Sequence, residues 1–480
     1  MNFYRFRPTD ALLDGFQELE RQEIYFASPK NLNDPLEGFK DIVWSGDGIL
    51  WKNLLRHYLL CLMHAVMTAL ISGPDYTFGE TDCFVFANES TSPTPEFAKL
   101  LCSICESFFQ HEDANALPEL LATRGTPIRR DELTTYLRLL HQHALNTVLT
   151  RLEEAALMPP RPADDSLRAA STKPLAVQTV LETMKGLERE HPDKPDIAEV
   201  MSGISELSSI QQDIIFEYNG VSLKGGAAWK TLISEFPRRH VRALEQLLYR
   251  DWYTACFVTD PTDAAMWGNY GDGHQGICLK FKTTANTNGK QALSLHQICG
   301  WSGNKVSSGP VYGDVQHEFQ QVEYSSKFVE VNFFRSLGRL SMPMLNSWYR
   351  DTAGNPSISV TDILSESDSW RRQYWDQMMT AITTKLMDWG HEKEYRLTLS
   401  SSITDFTDPA TRKLQYHFSD LQGIIFGINT SLNDKLRIMR IIEEKCRKEG
   451  RTDFEFHQAY YSRRAQKMEI GRLNLIKLSL

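Results

Sequence analysis

Ile24-Tyr-Phe-Ala-Ser-Pro-Lys-Asn-Leu-Asn-Asp-Pro-Leu-Glu-Gly38 is the least interchangeable stretch of the chain. It opens as a strand, because Ile24, Tyr25 and Phe26 form a short β-favouring apolar run. Ser28-Pro29 ends that strand. Asn31, Asn33 and Asp34 then crowd ahead of Pro35, which pushes Asp34 out of the helical region. Asn and Asp side chains fold back onto nearby backbone amides and stiffen a turn. Asn33, Asp34 and the following Glu37 are therefore candidate ligand-holding residues. The simpler reading is a well-formed turn after a buried strand, and spacing alone favours it.

Working outward, Phe3-Tyr-Arg-Phe-Arg7 suits a first strand. Alternation puts Arg5 and Arg7 on one face and Tyr4 and Phe6 on the other. A guanidinium there can grip a phosphate or carboxylate with two parallel hydrogen bonds. An exposed edge ending in charges explains the same residues equally well. Thr9 or Asp10 can cap a helix carrying Leu12, Leu13, Phe16 and Leu19. Ile24–Ala27 then completes a β-α-β opening.

From about Ile49 to Leu248 the pattern is helical, over Leu54–Ile71, Phe97–Phe109, Arg130–Leu157, Ala176–Leu187, Ile197–Ile215 and Trp229–Leu248. Thr81–Ala87 reads as a strand, and Pro159–Lys173 as the clearest loop. Leu54–Ile71 is the most apolar stretch. Arg56, His57 and His64 interrupt it, so a buried helix fits better than a membrane span. Strands return at Tyr253–Val258, Ile277–Phe281, Val322–Tyr324, Glu394–Leu399, Ile424–Gly427 and Phe454–Ala459. Ser431–Lys448 reads as a helix.

These elements predict an α+β protein. A mixed twisted sheet is built from both chain ends, 1–48 and 249–480, and a helical insertion occupies 49–248. At 480 residues the chain exceeds one ordinary domain. A net charge of -9 argues against bulk, sequence-independent nucleic-acid binding. Lys435–Leu480 nevertheless holds twelve Lys/Arg against six Asp/Glu, a solvated face or a docking surface for an anionic partner. No apolar run follows Arg5 and Arg7, so no secretory signal is expected, and the reading is a cytoplasmic protein with no membrane partner. The eight cysteines read as small buried hydrophobes. Cys102 and Cys105 lack a second pair, and no metal site is expected. The insertion shows no His, Cys and carboxylate cluster at ligand spacing. It is expected to bind a protein partner rather than take part in chemistry.

Two further clusters carry candidate chemistry. Asp263–Gly276 contains Trp267 and Tyr270, one helical turn apart, with Asn269 and His274. The two aromatics can wall a planar ring, or they are ordinary core. The glycines form neither a dinucleotide fingerprint nor a P-loop. Trp389-Gly-His-Glu-Lys-Glu-Tyr-Arg396 places Glu392 and Glu394 on one strand face if the strand begins early. Buried together, two carboxylates would push one pKa up, which suits acid/base work. A carboxylate also stabilises an oxocarbenium-like centre. The alternative is a charged strand entry paired to a neighbour.

Together, Tyr4-Arg5-Phe6-Arg7, Phe26-Ala-Ser-Pro through Asn33-Asp-Pro-Leu-Glu37, Cys256-Phe257 with Met266-Trp267, Tyr270 and Gly276, Trp389–Arg396, and Ile424-Ile-Phe-Gly427 resemble a bacterial family, domain of unknown function 2971. The resemblance covers about residues 1–45 and 250–460. Some members open with a strand similar to that of ADP-ribosyltransferase-like folds. On that analogy NAD is the substrate. Arg5 holds its pyrophosphate or ribose, with Arg7, Asn33 and Asp34 beside it. Trp267 or Tyr270 faces the nicotinamide. Glu394 stabilises the ribosyl cation, and Glu392-Lys-Glu394 resembles the Glu-x-Glu pair of arginine-modifying members. Val258 stands where the family often has Ser, with Thr259 next to it. The implied function is an ADP-ribosyltransferase or NAD glycohydrolase, a bacterial toxin or anti-phage defence effector. The alternatives are a non-catalytic ligand sensor on the same fold and a metal-dependent nuclease. The nuclease pattern would want Lys two residues after Glu392, where Glu394 stands.

Overall fold

The computed structural model describes the chain except residues 74, 80–81, 89–91, 163–166, 169–174, 195–196, 220–225, 304–307, 366, 402–403 and 477–480. The chain divides into two units. The first comprises 1–39, 251–329 and 379–480, so both chain ends build it. The second comprises 40–250 and 330–378. Residues 330–378, placed in the core domain from sequence, cluster with the helical unit.

The first unit is organised on a mixed eight-stranded sheet. Its strands are β1 (Asn2–Arg7), β2 (Trp252–Val258), β3 (Ile277–Lys282), β4 (Gln320–Gln321), β5 (Glu394–Ser400), β6 (Leu421–Phe426), β7 (Glu455–Ser462) and β8 (Lys467–Arg472). Their order is β4-β5-β2-β1-β3-β6-β7-β8. Every pair is antiparallel except β6–β7. A parallel pair needs a long crossover, and the Leu432–Glu449 helix supplies it. Ser431 caps that helix by accepting from the Asp434 amide at 3.0 Å, and Gly450 ends it in the left-handed region.

Alternation along β1 assigns its side chains to two faces. Phe3 joins a large core with Ile24, Phe26, Phe257, Phe281, Leu397 and Ile424, which the Leu432–Glu449 helix covers through Ile438 and Ile442. Phe6 joins a smaller core on the other face with Val258, Met266, Trp267, Cys278 and Ile425. Burying such side chains contributes roughly 1.5–3 kcal/mol each.

A second sheet of five strands holds a long hairpin, Gln291–Gly303 against Ser308–Glu318. Sequence reading missed this hairpin, because its strands carry polar residues on both faces. The Ile24–Ala27 strand is shorter than expected. Glu23–Tyr25 pairs with Lys413–Tyr416, and Ala27 forms an isolated bridge to Thr254. Between Thr9 and Leu19 the chain makes a π-turn over Ala11–Gly15 and a single α-turn over Glu18–Arg21.

The second unit is mainly helical. Its longest helices are Gly48–Ser72, Arg130–Glu154 and Ile197–Tyr218. Gly48–Ser72 is long and apolar enough to cross a membrane by length and composition, but 67% of its most apolar window is buried inside the protein. Asp47 caps it, accepting from Leu50 N at 3.2 Å. The strand read over Thr81–Ala87 is not formed at residues 82–87, which make bends and turns; Thr81 lies outside the described residues. Much of the Pro159–Lys173 loop also lies outside them.

Candidate functional site

The central sheet splits between β1 and β2. Their ladder has one registered pair, Tyr4 opposite Val258. Beyond it β2 turns to the other partner, and the amides of Ala27 and Thr254 donate to each other's carbonyls at 2.8 and 2.9 Å. A pocket of about 210 Å³ lies at the split. Arg5, Arg7, Tyr25, Ala27, Asn31 and Asn33 line it, as do Thr254–Val258, Met266, Tyr270, Lys385, Glu392 and Glu394.

The Ser28–Gly38 turn forms as its residues dictate. Asp34 is buried, and its Oδ1 accepts from Leu36 N at 2.9 Å. Asp34 therefore shapes the turn and does not line the pocket, correcting its assignment as a ligand contact. The turn delivers Glu37, whose side chain is 1% exposed.

Glu37, Glu392 and Glu394 converge on two cations. Lys385 Nζ lies 2.8 Å from Glu392 Oε2, 2.9 Å from Glu394 Oε2 and 3.3 Å from Glu37 Oε2. Arg396 Nε lies 2.8 Å from Glu394 Oε1, and its Nη1 lies 2.7 Å from Glu37 Oε1. The Glu37 contacts are ion pairs by distance without hydrogen-bond geometry. Tyr270 donates a short hydrogen bond to Glu392 Oε1. The Glu394 amide donates to Tyr324 Oη at 2.9 Å. Three carboxylates against two cations leave one negative charge in excess.

The two glutamates do not meet by strand alternation. The strand begins at Glu394, and Glu392 ends a 3₁₀ turn over Met387–Glu392. Lys393 between them is left-handed at φ 47°, and both carboxylates reach Lys385. Nor is the Glu394 pKa raised. Burial alone would raise it, but Arg396 and Lys385 outweigh burial and hold it at about 2. Burial also opposes the charge on Lys385, and Glu394 and Glu37 overcome it, so its pKa rises. Burial and the Glu392 carboxylate together push the Tyr270 phenol well up.

The opposite wall carries positive charge. Arg7 Nε donates to Glu18 Oε2 at 2.8 Å, and its Nη2 makes a second, shorter contact with Glu18. Arg5 is 6% exposed and donates through Nη2 to Tyr25 O at 2.8 Å. Its guanidinium lies 5.6 Å from the Phe257 ring centroid. Arg5 has no carboxylate partner among the described residues, and its Nη1 is buried without a hydrogen-bond partner. Burial, then the neighbouring Arg7 charge, lower its pKa to about 10.

Trp267 is not a pocket wall. It is fully buried, donates from Nε1 to Pro261 O at 2.7 Å, and packs edge-on against Phe6. Asn269 and His274 also lie outside the lining, whereas Tyr270 belongs to it. Sequence reading missed Lys385 and Glu18. The one available signal for Lys385 was an isolated lysine in the Thr384–Leu386 strand.

Residues 266–397 match the model of DUF2971, a protein of unknown function. The DUF2971 match contains Met266, Trp267, Tyr270, Lys385, Glu392, Glu394 and Arg396. Arg5, Arg7 and the Ser28–Gly38 turn lie outside the matched span. No curated protein and no solved structure gives a significant match.

Proposed function

We propose that the split-sheet pocket binds NAD and that the protein is a cytoplasmic ADP-ribosyltransferase-like enzyme or NAD glycohydrolase. The observation that carries this reading is the pairing of two uncompensated charges in one pocket. Among the described residues Arg5 is a buried cation with no carboxylate in ion-pair contact, since the nearby Glu18 is taken up by Arg7, and Glu37, Glu392 and Glu394 outnumber Lys385 and Arg396. Burying an unpaired charge is costly, so each wall favours a ligand group of opposite sign. NAD offers both, an anionic pyrophosphate and a cationic nicotinamide. A cavity of about 210 Å³ holds one end of a dinucleotide and leaves the adenosine outside.

In the reaction the bond between ribose C1′ and nicotinamide breaks, and its electron pair leaves with the nicotinamide. Water or an acceptor side chain then attacks C1′. Glu394, fixed as a carboxylate by Arg396 and Lys385, supplies negative charge toward the ribosyl cation. A preorganised charge of this kind needs no reorganisation when the bond breaks. Glu392 and Tyr270 flank it. The experiment is incubation of the purified chain with NAD, following nicotinamide release. Absence of both binding and release overturns the reading.

A non-catalytic sensor is the second reading. It is favoured by Glu394 having both oxygens engaged, so neither is free for a substrate. Binding of NAD without turnover selects it. A metal-dependent nuclease is less favoured, because Lys385 Nζ already sits among the three carboxylates. The helical unit supplies the interaction surface in either reading. Val200, Ile204, Leu207, Ile214 and Ile215 are exposed on its Ile197–Tyr218 helix. If Leu207→Glu leaves every binding partner of the chain in place, that role is wrong.

A further inference from the structure

The Ile197–Tyr218 helix packs with its polar side inward. Ala198, Ser202 and Glu206 are its buried contacts. Glu206 lies 2.6 Å from Arg138 Nη2 and 3.3 Å from Arg238 Nη1, and Arg238 Nη2 lies 3.7 Å from Asp213. Val200, Ile204, Leu207, Ile214, Ile215 and Tyr218 are each more than half exposed. A surface helix of a globular protein ordinarily does the reverse, with its apolar stripe on the core and its charges in water. A continuous exposed apolar stripe of this kind marks an interaction surface.

The stripe has the period of a coiled coil. Val200, Ile204, Leu207, Gln211, Ile214 and Tyr218 follow one another at alternating steps of four and three, the spacing that keeps a seam turned toward one partner helix. The seam is also symmetric about its own midpoint at Ser209. An identical helix running the other way sets Val200 against Tyr218, Ile204 against Ile214 and Leu207 against Gln211, so the smallest residue meets the largest. A lone polar residue such as Gln211 on a seam lowers stability and fixes register. The charges suit the same partner. The helix has four acids and no Lys or Arg. Glu206 and Asp213 are taken up by arginines, and Glu217 is paired with Lys230. No carboxylate stands on the seam to repel an identical helix, and no base on this helix meets an anionic lipid surface.

We propose that this helix is the contact between two copies of the chain, paired antiparallel about a two-fold axis at Ser209. A two-fold contact uses one patch twice and so must be self-complementary, as this seam is. Opposed helix dipoles favour the antiparallel sense. The seam offers fewer residues than the roughly 20–30 a side of a standard interface, so the dimer is reversible, with a dissociation constant on the order of 10 µM. The inference rests on the reading of the helical unit as an interaction surface and is independent of NAD.

The test is sedimentation velocity of the purified full chain over about 1–200 µM, which brackets that constant. The parent should pass from monomer to dimer. Leu207→Glu and Ile204→Glu alter residues already in water, so both should keep the parent's circular dichroism and melting temperature. Each should raise the dissociation constant by more than about tenfold, and Gln211→Leu should lower it by about tenfold. Oxidation of a mixture of Leu207→Cys and Gln211→Cys should link unlike chains at those positions, read by peptide mapping. A parent that stays monomeric, or a dimer that survives both glutamate variants, would overturn the proposal. Linking of each cysteine variant to its own kind would overturn the antiparallel register. A monomeric parent that binds phosphatidylcholine vesicles or a different protein, and loses that binding in Leu207→Glu, would overturn the second copy and leave the interaction-surface reading standing.

Discussion

Glu394 and Arg396 share one face of β5, two residues apart, and close a bidentate ion pair, Nε to Oε1 at 2.8 Å and Nη2 to Oε2 at 3.1 Å. Both side chains are almost completely buried. Glu394→Gln keeps the shape and removes the charge, leaving Arg396 and Lys385 with one carboxylate fewer. Breaking a buried pair from one side costs roughly 3–5 kcal/mol, an upper bound here because Glu37 and Glu392 still face the two cations. Denaturant unfolding of the variant should therefore show a clear loss of stability. A variant as stable as its parent would mean that the pair is not structural.

The same carboxylate sets a pH dependence. Its pKa falls from 4.5 in the unfolded chain to about 2 in the fold. A depressed pKa stabilises the fold above the unfolded value, and that contribution is lost as pH falls through the folded value. It amounts to about 3 kcal/mol, disappearing between pH 4.5 and 2. Unfolding free energies measured across that window should fall more steeply for the parent than for Glu394→Gln. Parallel curves would contradict the assignment.

Arg5 should behave in the opposite way. With no carboxylate in ion-pair contact among the described residues, its charge is a burden to the fold that the nearby Glu18 only partly offsets. Arg5→Gln should leave stability within about 1 kcal/mol of the parent, the worth of its hydrogen bond to Tyr25 O. It should also weaken NAD binding by tenfold or more. Chemical denaturation and calorimetric NAD titration of the same protein check both halves. A large loss of stability would make Arg5 a structural residue.

Gly276 lets β1 approach the Asp263–Gly276 loop. A Cβ added there would stand 2.5 Å from Arg7 O and 2.8 Å from Gly271 O, both backbone atoms that cannot turn aside. Gly276→Ala should cost about 1–3 kcal/mol and displace Arg7 from Glu18. Unchanged thermal unfolding would show that the approach is looser than described.

The strands of the central sheet were legible wherever apolar runs were short and bounded, as in Ile277–Phe281 and Ile424–Gly427. The turn after Phe26 was legible because Asp34 and Pro35 act locally. Arg5, Tyr270 and the Glu392/Glu394 pair were recognisable as polar or aromatic residues inside strand and turn patterns. Trp267 was misplaced because a buried indole and a ligand-facing indole share the same spacing. Asp34 was misplaced because a carboxylate that caps a turn looks like one that waits for a ligand. Lys385 was invisible: its partners Glu37 and Glu394 come from opposite ends of the chain, and no local pattern encodes that meeting.

The central claim is that one pocket holds Arg5, without a carboxylate partner among the described residues, opposite an excess of carboxylate, and that these charges serve NAD. The most direct test is calorimetric NAD titration combined with nicotinamide release, run on the parent chain and on Arg5→Gln. The account predicts that the parent binds NAD and frees nicotinamide, and that the stable Arg5→Gln variant loses both. A folded parent chain that neither binds nor consumes NAD, or an Arg5→Gln variant that binds it equally well, would contradict the account.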